Sequence, residues 1–136
     1  MKPPEEVKRE LVRQWLAKAD EDLETAKFLF ASERSFFPAI CFHCQQAAEK
    51  YFKALLTWQQ IEFPKTHDLG LLLSLIASTD SYLASSLAEV AALNPYGVDI
   101  RYPGDVPEIT GEDAEEAMRL ADRVKEAVLS ALKGKT

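Results

Sequence analysis

The segment PAICFHCQQAAEKYFKALLTWQQ, residues 38–60, constrains the fold more tightly than any other. Ile40, Cys44, Ala47, Tyr51 and Leu55 recur at spacings of three and four, which sets them on one face of a helix. Phe42, Phe52 and Leu56 add a second line, so the helix is apolar over most of its circumference. A helix of that kind must be surrounded, either as the central element of its own bundle or by contact with another subunit. The second arrangement makes a homodimer an expectation.

The rest of the chain supplies helices to surround it. From about Glu5 to Ala31, Val12, Leu16, Ala19, Leu23, Ala26 and Phe30 form one apolar stripe, and ERSFFP then provides a turn. Pro64 breaks the second helix, after which Thr66 or Asp68 can cap a short third helix bearing Leu69, Leu72, Leu73 and Ile76. A fourth is expected to carry Tyr82, Leu83, Leu87, Val90 and Ala91 and to end near Asn94, because a residue before proline is biased away from α. Thr110 and Asp113 then stand at capping-box spacing before a last helix lined by Ala114, Ala117, Ala121, Val124, Val128 and Ala131. No useful β-like alternation, internal repeat or Ser/Gly linker interrupts the series. The expectation is a single all-α domain over residues 1–136: an up-and-down bundle of about five helices, with a long antiparallel hairpin, two short helices and a long C-terminal helix.

Charge and cysteine usage narrow the function. A net charge of -6 argues against general affinity for nucleic-acid backbone, although a local basic groove stays open. Cys41 and Cys44 lie three apart within one helix, a spacing poorly suited to a disulfide, which points to a reducing cytoplasm. The N-terminal stretch has no apolar signal region, and LGLLLSLIA is too short to span a bilayer, so neither export nor a membrane partner is expected.

Several residues are candidates for a site. Cys41, His43 and Cys44 do not form a zinc set, because no second ligand pair converges on them and His43 is rotated away, so no metal or other cofactor is expected. Neither cysteine stands at a helix N-terminus, where a thiolate nucleophile would be favoured. The polar line His43, Gln46, Lys50 and Lys53 either faces RNA phosphates as a weakly basic strip or is an ordinary solvated face, with Glu49 beside it. His67, in KTHDL, falls at the first turn of the third helix, where Lys65 and backbone N–H groups can hold an anion; the plainer alternative leaves it packed on the preceding loop. Between Asn94 and Gly111 runs a Gly- and Pro-rich connection of unusual length, a kind of loop that is often functional. Its one basic residue, Arg101, is followed by Tyr102 and Pro103. That arginine either ties the loop to the body or offers its planar fork to a phosphate.

Taken together, WLAKADEDLETAKFLF, FPAICFHCQQAAEKYFKALL, KTHDL and IRYPGD, followed by an acidic Ala-rich helix, resemble the HEPN domain family of bacteria and archaea. The resemblance implies an α-helical homodimer, often encoded beside a minimal nucleotidyltransferase, with roles in nucleotide or RNA binding, toxin–antitoxin pairing and, in some branches, RNA cleavage. The cleaving branches carry an arginine and a histidine with four to six residues between them. Arg101 matches that arginine, but the corresponding positions here hold Val106, Pro107 and Glu108. What the resemblance implies is therefore a binding module, with Arg101, Tyr102, Lys65, His67, Lys50 and Lys53 as candidate ligand contacts. The alternative it leaves is a metal-independent RNase toxin in which Arg101 acts with His67 or His43 as base.

Overall fold

The computed structural model describes residues 4–97 and 108–135. Arg101, Tyr102, Val106 and Pro107 lie outside the described residues. The elements are α1 (Pro4–Ala31), α2 (Phe37–Gln59), α3 (Leu69–Ala77), α4 (Ser81–Ser86), a 3₁₀ segment (Ala88–Gly97) and α5 (Gly111–Leu132), with no strand among the described residues. The expected all-α bundle is what forms.

Local chemistry sets the helix ends. Pro38 stands in the first turn of α2, where its fixed φ and missing N–H cost nothing. Gln60 closes the same helix in the left-handed conformation, φ 58°, with its N–H turned back to the Leu56 and Thr57 carbonyls. Asp68 caps α3 through the N–H groups of Gly70 and Leu71, and Asp80 caps α4 through that of Leu83. At α5 both halves of the capping box are present: the Thr110 hydroxyl accepts from Asp113 N–H and the Asp113 carboxylate accepts from Thr110 N–H.

Of the two ways to cover α2, the chain uses its own helices. Ile40, Cys41, Cys44, Ala47, Ala48, Tyr51, Phe52, Ala54, Leu55 and Leu56 are all buried, from more than one side. α1 packs along α2 as the antiparallel half of a hairpin, with Lys8 against Trp58 at one end and Asp22 against His43 at the other. α5 lies chiefly on α2 and starts at the same end, Gly111 sitting so close to the Phe37 ring that a Cβ there would come within 3.2 Å of it. Each fully buried Leu, Ile or Phe side chain contributes about 1.5–3 kcal/mol, and α2 supplies Ile40, Phe52, Leu55 and Leu56 to that core.

The stretch from Ile61 to Asp68 doubles back along α2: Phe63 meets Trp15 and His67 reaches Glu49. α3 then runs down the bundle until Thr79 reaches Gln59, and the 3₁₀ segment returns to leave Gly97 against the Gln45 side chain.

The fourth helix differs from expectation. It stops at Ser86, and Ala88–Gly97 winds as a 3₁₀ helix that carries Pro95 inside it. Ala84, Leu87, Val90 and Leu93 are buried at intervals of three. Three residues per turn is the 3₁₀ repeat, so winding this way keeps the whole row on one face, whereas an α-helix would rotate it off. Tyr82, expected on the inner face, is 84% exposed.

Candidate functional site

A helix covered over most of its surface leaves little room for polar side chains in its interior, yet α2 buries three. Gln45, Glu49 and Lys53 stand four apart in one row and are 0%, 3% and 6% exposed. Each must find a partner, since an unpaired charge or amide in that environment costs several kcal/mol. The Lys53 ammonium donates to Glu49 Oε2 at 3.0 Å and lies 5.5 Å and 5.9 Å from the ring centres of Trp15 and Phe63. Glu49 Oε1 meets His67 Nδ1 at 2.7 Å. Gln45 Nε2 donates to the backbone carbonyl of His67 at 2.9 Å, and Gln46 Nε2 donates to Gln45 Oε1 at 2.7 Å. The row thus grips residue 67 by ring and by main chain. Among the described residues, every buried side-chain nitrogen and oxygen has a hydrogen-bond partner.

This grip fixes the orientation of the imidazole. A carboxylate that already binds an ammonium can only accept, so Nδ1 carries the hydrogen that faces Glu49. The His67 side chain is 71% exposed, against 4% for that of Glu49. A buried carboxylate therefore holds an outward-facing ring.

The other histidine is placed differently. His43 Nδ1 meets Asp22 Oδ1 at 2.9 Å, the Lys50 ammonium donates to the other oxygen of the same carboxylate, and the ring packs edge-on to Phe42. Its side chain is 31% exposed. Next along the α1–α2 seam, buried Tyr51 donates to Asp20, which also pairs with Lys125. Burial first, and the Asp20 hydrogen bond second, push the Tyr51 hydroxyl well above the ordinary tyrosine range.

The expected strip His43, Gln46, Lys50 and Lys53 is therefore not a continuous exposed row. It fails at Lys53, which turns inward to Glu49 because α1 and the returning loop cover that side of α2 with Trp15 and Phe63. Lys50 and His43 are both engaged by Asp22. Lys65 is exposed and has no ion pair among the described residues. Arg101 and Tyr102 lie outside the described residues, but the ends joined by their segment do not. Gly97 stands beside Gln45, and Glu108, with Ile109 and Thr110, lines a recess next to Phe37 and Pro38. Both ends therefore flank the first half of α2.

Cys41 and Cys44 are both buried. Desolvation, helped by the neighbouring Cys41, pushes the Cys44 thiol up to about 12, which keeps it protonated and unreactive. Among the described residues no group of three or more His, Cys, Asp or Glu is arranged to hold a metal ion, and no helix is long and apolar enough to cross a membrane. Sequence reasoning missed Gln45, Asp22 and Asp20 and treated Glu49 only as a diluting charge. The available signal was the row 45, 49, 53: polar residues at helical spacing inside a helix already apolar on both flanks.

The profile of the HEPN domain matches residues 12–132. The chain belongs to the HEPN domain family. Among HEPN relatives, a Methanocaldococcus jannaschii protein named "Putative toxin MJ1304" is 31% identical over 135 residues, covering 89% of this chain and 88% of the relative. The crystal structure of ST0689, described as an archaeal HEPN homologue, superposes with a TM-score of 0.72 at 29% identity, covering 90% of this chain and 98% of that one. TT1696 from Thermus thermophilus gives the same TM-score and identity over 88% of this chain and 96% of its own. The three long helices and the short-helix return are thus the architecture of this HEPN chain and of its solved neighbours alike.

Proposed function

We propose that this HEPN protein is the toxin-like half of a two-protein system, that its other half is a minimal nucleotidyltransferase, and that it acts as a homodimer in the cytoplasm. In this reading it engages a nucleotide or an RNA phosphate through His67 and Lys65, together with Arg101 and Tyr102. The observation that carries the proposal is the HEPN match over nearly the whole chain combined with likeness, over almost all of both chains, to a relative named as a toxin.

The distribution of charge supports a local contact rather than general nucleic-acid binding. The chain carries a net charge of -6, and internal carboxylates occupy His43, Lys50 and Lys53. Among the described candidates, His67 and Lys65 remain the outward-facing ones. A site that small suits one phosphate group recognised by a few donors, with the partner protein supplying the remaining surface.

Expression in a bacterial host tests the proposal. Produced alone, the protein is expected to slow growth; produced with the nucleotidyltransferase encoded beside it, the two are expected to copurify and growth to recover. A chain that is inert alone and fails to associate when coexpressed refutes the two-protein reading.

A further inference from the structure

We propose that the open groove between α3 and the return formed by α4 and the 3₁₀ segment is a docking site for one α-helix of a partner protein. That helix carries bulky apolar side chains on one face and Lys or Arg along its flanks.

The groove exists because the residues that line it are small. Gly70, Ser74 and Ala77 on α3, with Ala84, Ala88 and Ala91 on the return, cannot fill the space between the two ridges, and about 420 Å³ stays open above buried Leu73. Two exposed apolar side chains directly follow lining residues: Leu71 after Gly70, and Tyr82 after Ser81. Neither serves the core at that exposure, and a bound partner gives both a place out of water.

The lining selects the kind of occupant. It holds no charged side chain, and the Ser74 hydroxyl is already donated to the Leu71 carbonyl of its own helix at 2.6 Å. An extended peptide laid there would leave most of its backbone N–H and C=O groups unpaired, whereas a helix satisfies its own. α3 is nine residues long, so the groove accepts roughly two to three helical turns, with apolar side chains seated at helical spacing. A small-molecule pocket encloses its ligand and orients it with placed polar groups; this groove is open and uncharged.

Charge selects the flanks of that helix. From residue 66 to residue 100 the sequence has no lysine or arginine. Asp68 and Asp80, the caps of α3 and α4, are exposed and have no ion pair among the described residues. Asp68 bonds the N–H of lining residue Gly70, and Asp80 directly precedes lining residue Ser81. Glu89, by contrast, is taken by Arg119 and Arg123 of α5. The rim therefore carries unopposed negative charge, which draws Lys or Arg and repels acidic partners. A second copy of this chain, related by a two-fold axis, would set that acidic rim against itself and groove against groove, with nothing to fill either. None of the lining residues is a candidate phosphate contact, so the surface adds to the reading above and does not depend on it.

The test uses the full-length protein and a labelled synthetic peptide of about 14 residues, long enough to form a helix, with Leu on one face and Lys elsewhere. Fluorescence anisotropy should show saturable binding that weakens as salt is raised. The same residues in scrambled order, and the same pattern with Glu for Lys, should bind at least about tenfold more weakly. Ser85→Trp fills the groove from an exposed position and should cut affinity by about tenfold or more. Asp68→Asn with Asp80→Asn keeps both helix caps, since Asn caps as well as Asp, and should flatten the salt dependence. Absence of saturable binding overturns the proposal, as does equal binding of the scrambled peptide. Affinity unchanged by Ser85→Trp, in a protein whose circular dichroism and unfolding midpoint match the native ones, overturns it too. A native dimer that Ser85→Trp converts to monomer would assign the groove to a second copy and equally sink the partner-helix reading.

Discussion

Replacing Lys53 by Met keeps the aliphatic stem and removes the ammonium, which isolates one term in the buried row. In the native protein Lys53 Nζ sits 3.0 Å from Glu49 Oε2, and the two side chains are 8% and 4% exposed. Breaking a buried pair by deleting one partner costs about 3–5 kcal/mol, because the remaining charge has lost its compensation. His67 still donates to the other oxygen of Glu49, so Lys53→Met is expected at the lower end, about 3 kcal/mol. Removing both charges in Lys53→Met/Glu49→Gln should recover most of that loss, since neutral groups of similar volume carry no desolvation penalty. The four proteins form a double-mutant cycle, read by urea unfolding with equal m-values as the check on two-state behaviour. Against a domain stability of about 5–15 kcal/mol a 3 kcal/mol change is easily resolved. A Lys53→Met protein destabilised by less than about 1 kcal/mol, or a double variant whose loss equals the sum of the singles, refutes the reasoning that the row is a coupled buried pair.

Three further outcomes follow from other parts of the fold. Thr110→Ala removes the hydroxyl half of the α5 capping box and should cost about 1 kcal/mol in chemical denaturation. Cys44, its thiol pushed up to about 12 by burial, should resist alkylation at neutral and mildly alkaline pH until denaturant is added; rapid native labelling would contradict the buried placement. Tyr51 has its ionisation pushed upward by burial and by Asp20, so its neutral form adds stability below the unfolded tyrosine value of about 10 that is lost as pH rises beyond it. Tyr51→Phe should therefore flatten the alkaline limb of stability against pH by about 1.4 kcal/mol per pH unit above pH 10.

Much of the fold was legible because long amphipathic helices announce themselves by period. Val12, Ala19, Leu23 and Ala26 on α1, and Ala114, Ala117, Ala121, Val124 and Val128 on α5, are the buried residues that their spacing assigned. The segment after Ser86 was misread because Leu87, Val90 and Leu93 fit two periods, and burial at every third residue chose the tighter one. At the site, KTHDL was visible as a motif, but the partner of His67 was not. Glu49 is eighteen residues upstream, and only the loop that doubles back along α2 brings them together, a path no local pattern encodes. Lys53 was misplaced for a related reason: its position on α2 reads as outer surface until α1 and Phe63 close over it.

The extensive burial of α2 also bears on how the chain is made. α2 ends at Gln59, whereas the helix that covers one of its long sides, α5, begins only at Gly111. During synthesis, α1 can shield one flank at once, but Ile40, Ala47, Leu55 and their neighbours must wait for the rest of the protein to leave the ribosome. For that interval the nascent chain presents an oily helix with half a coat, the kind of surface that recruits chaperones or sticks to other chains. A premature stop anywhere in the connection before α5 should therefore yield a product that is cleared or aggregated rather than a smaller working protein.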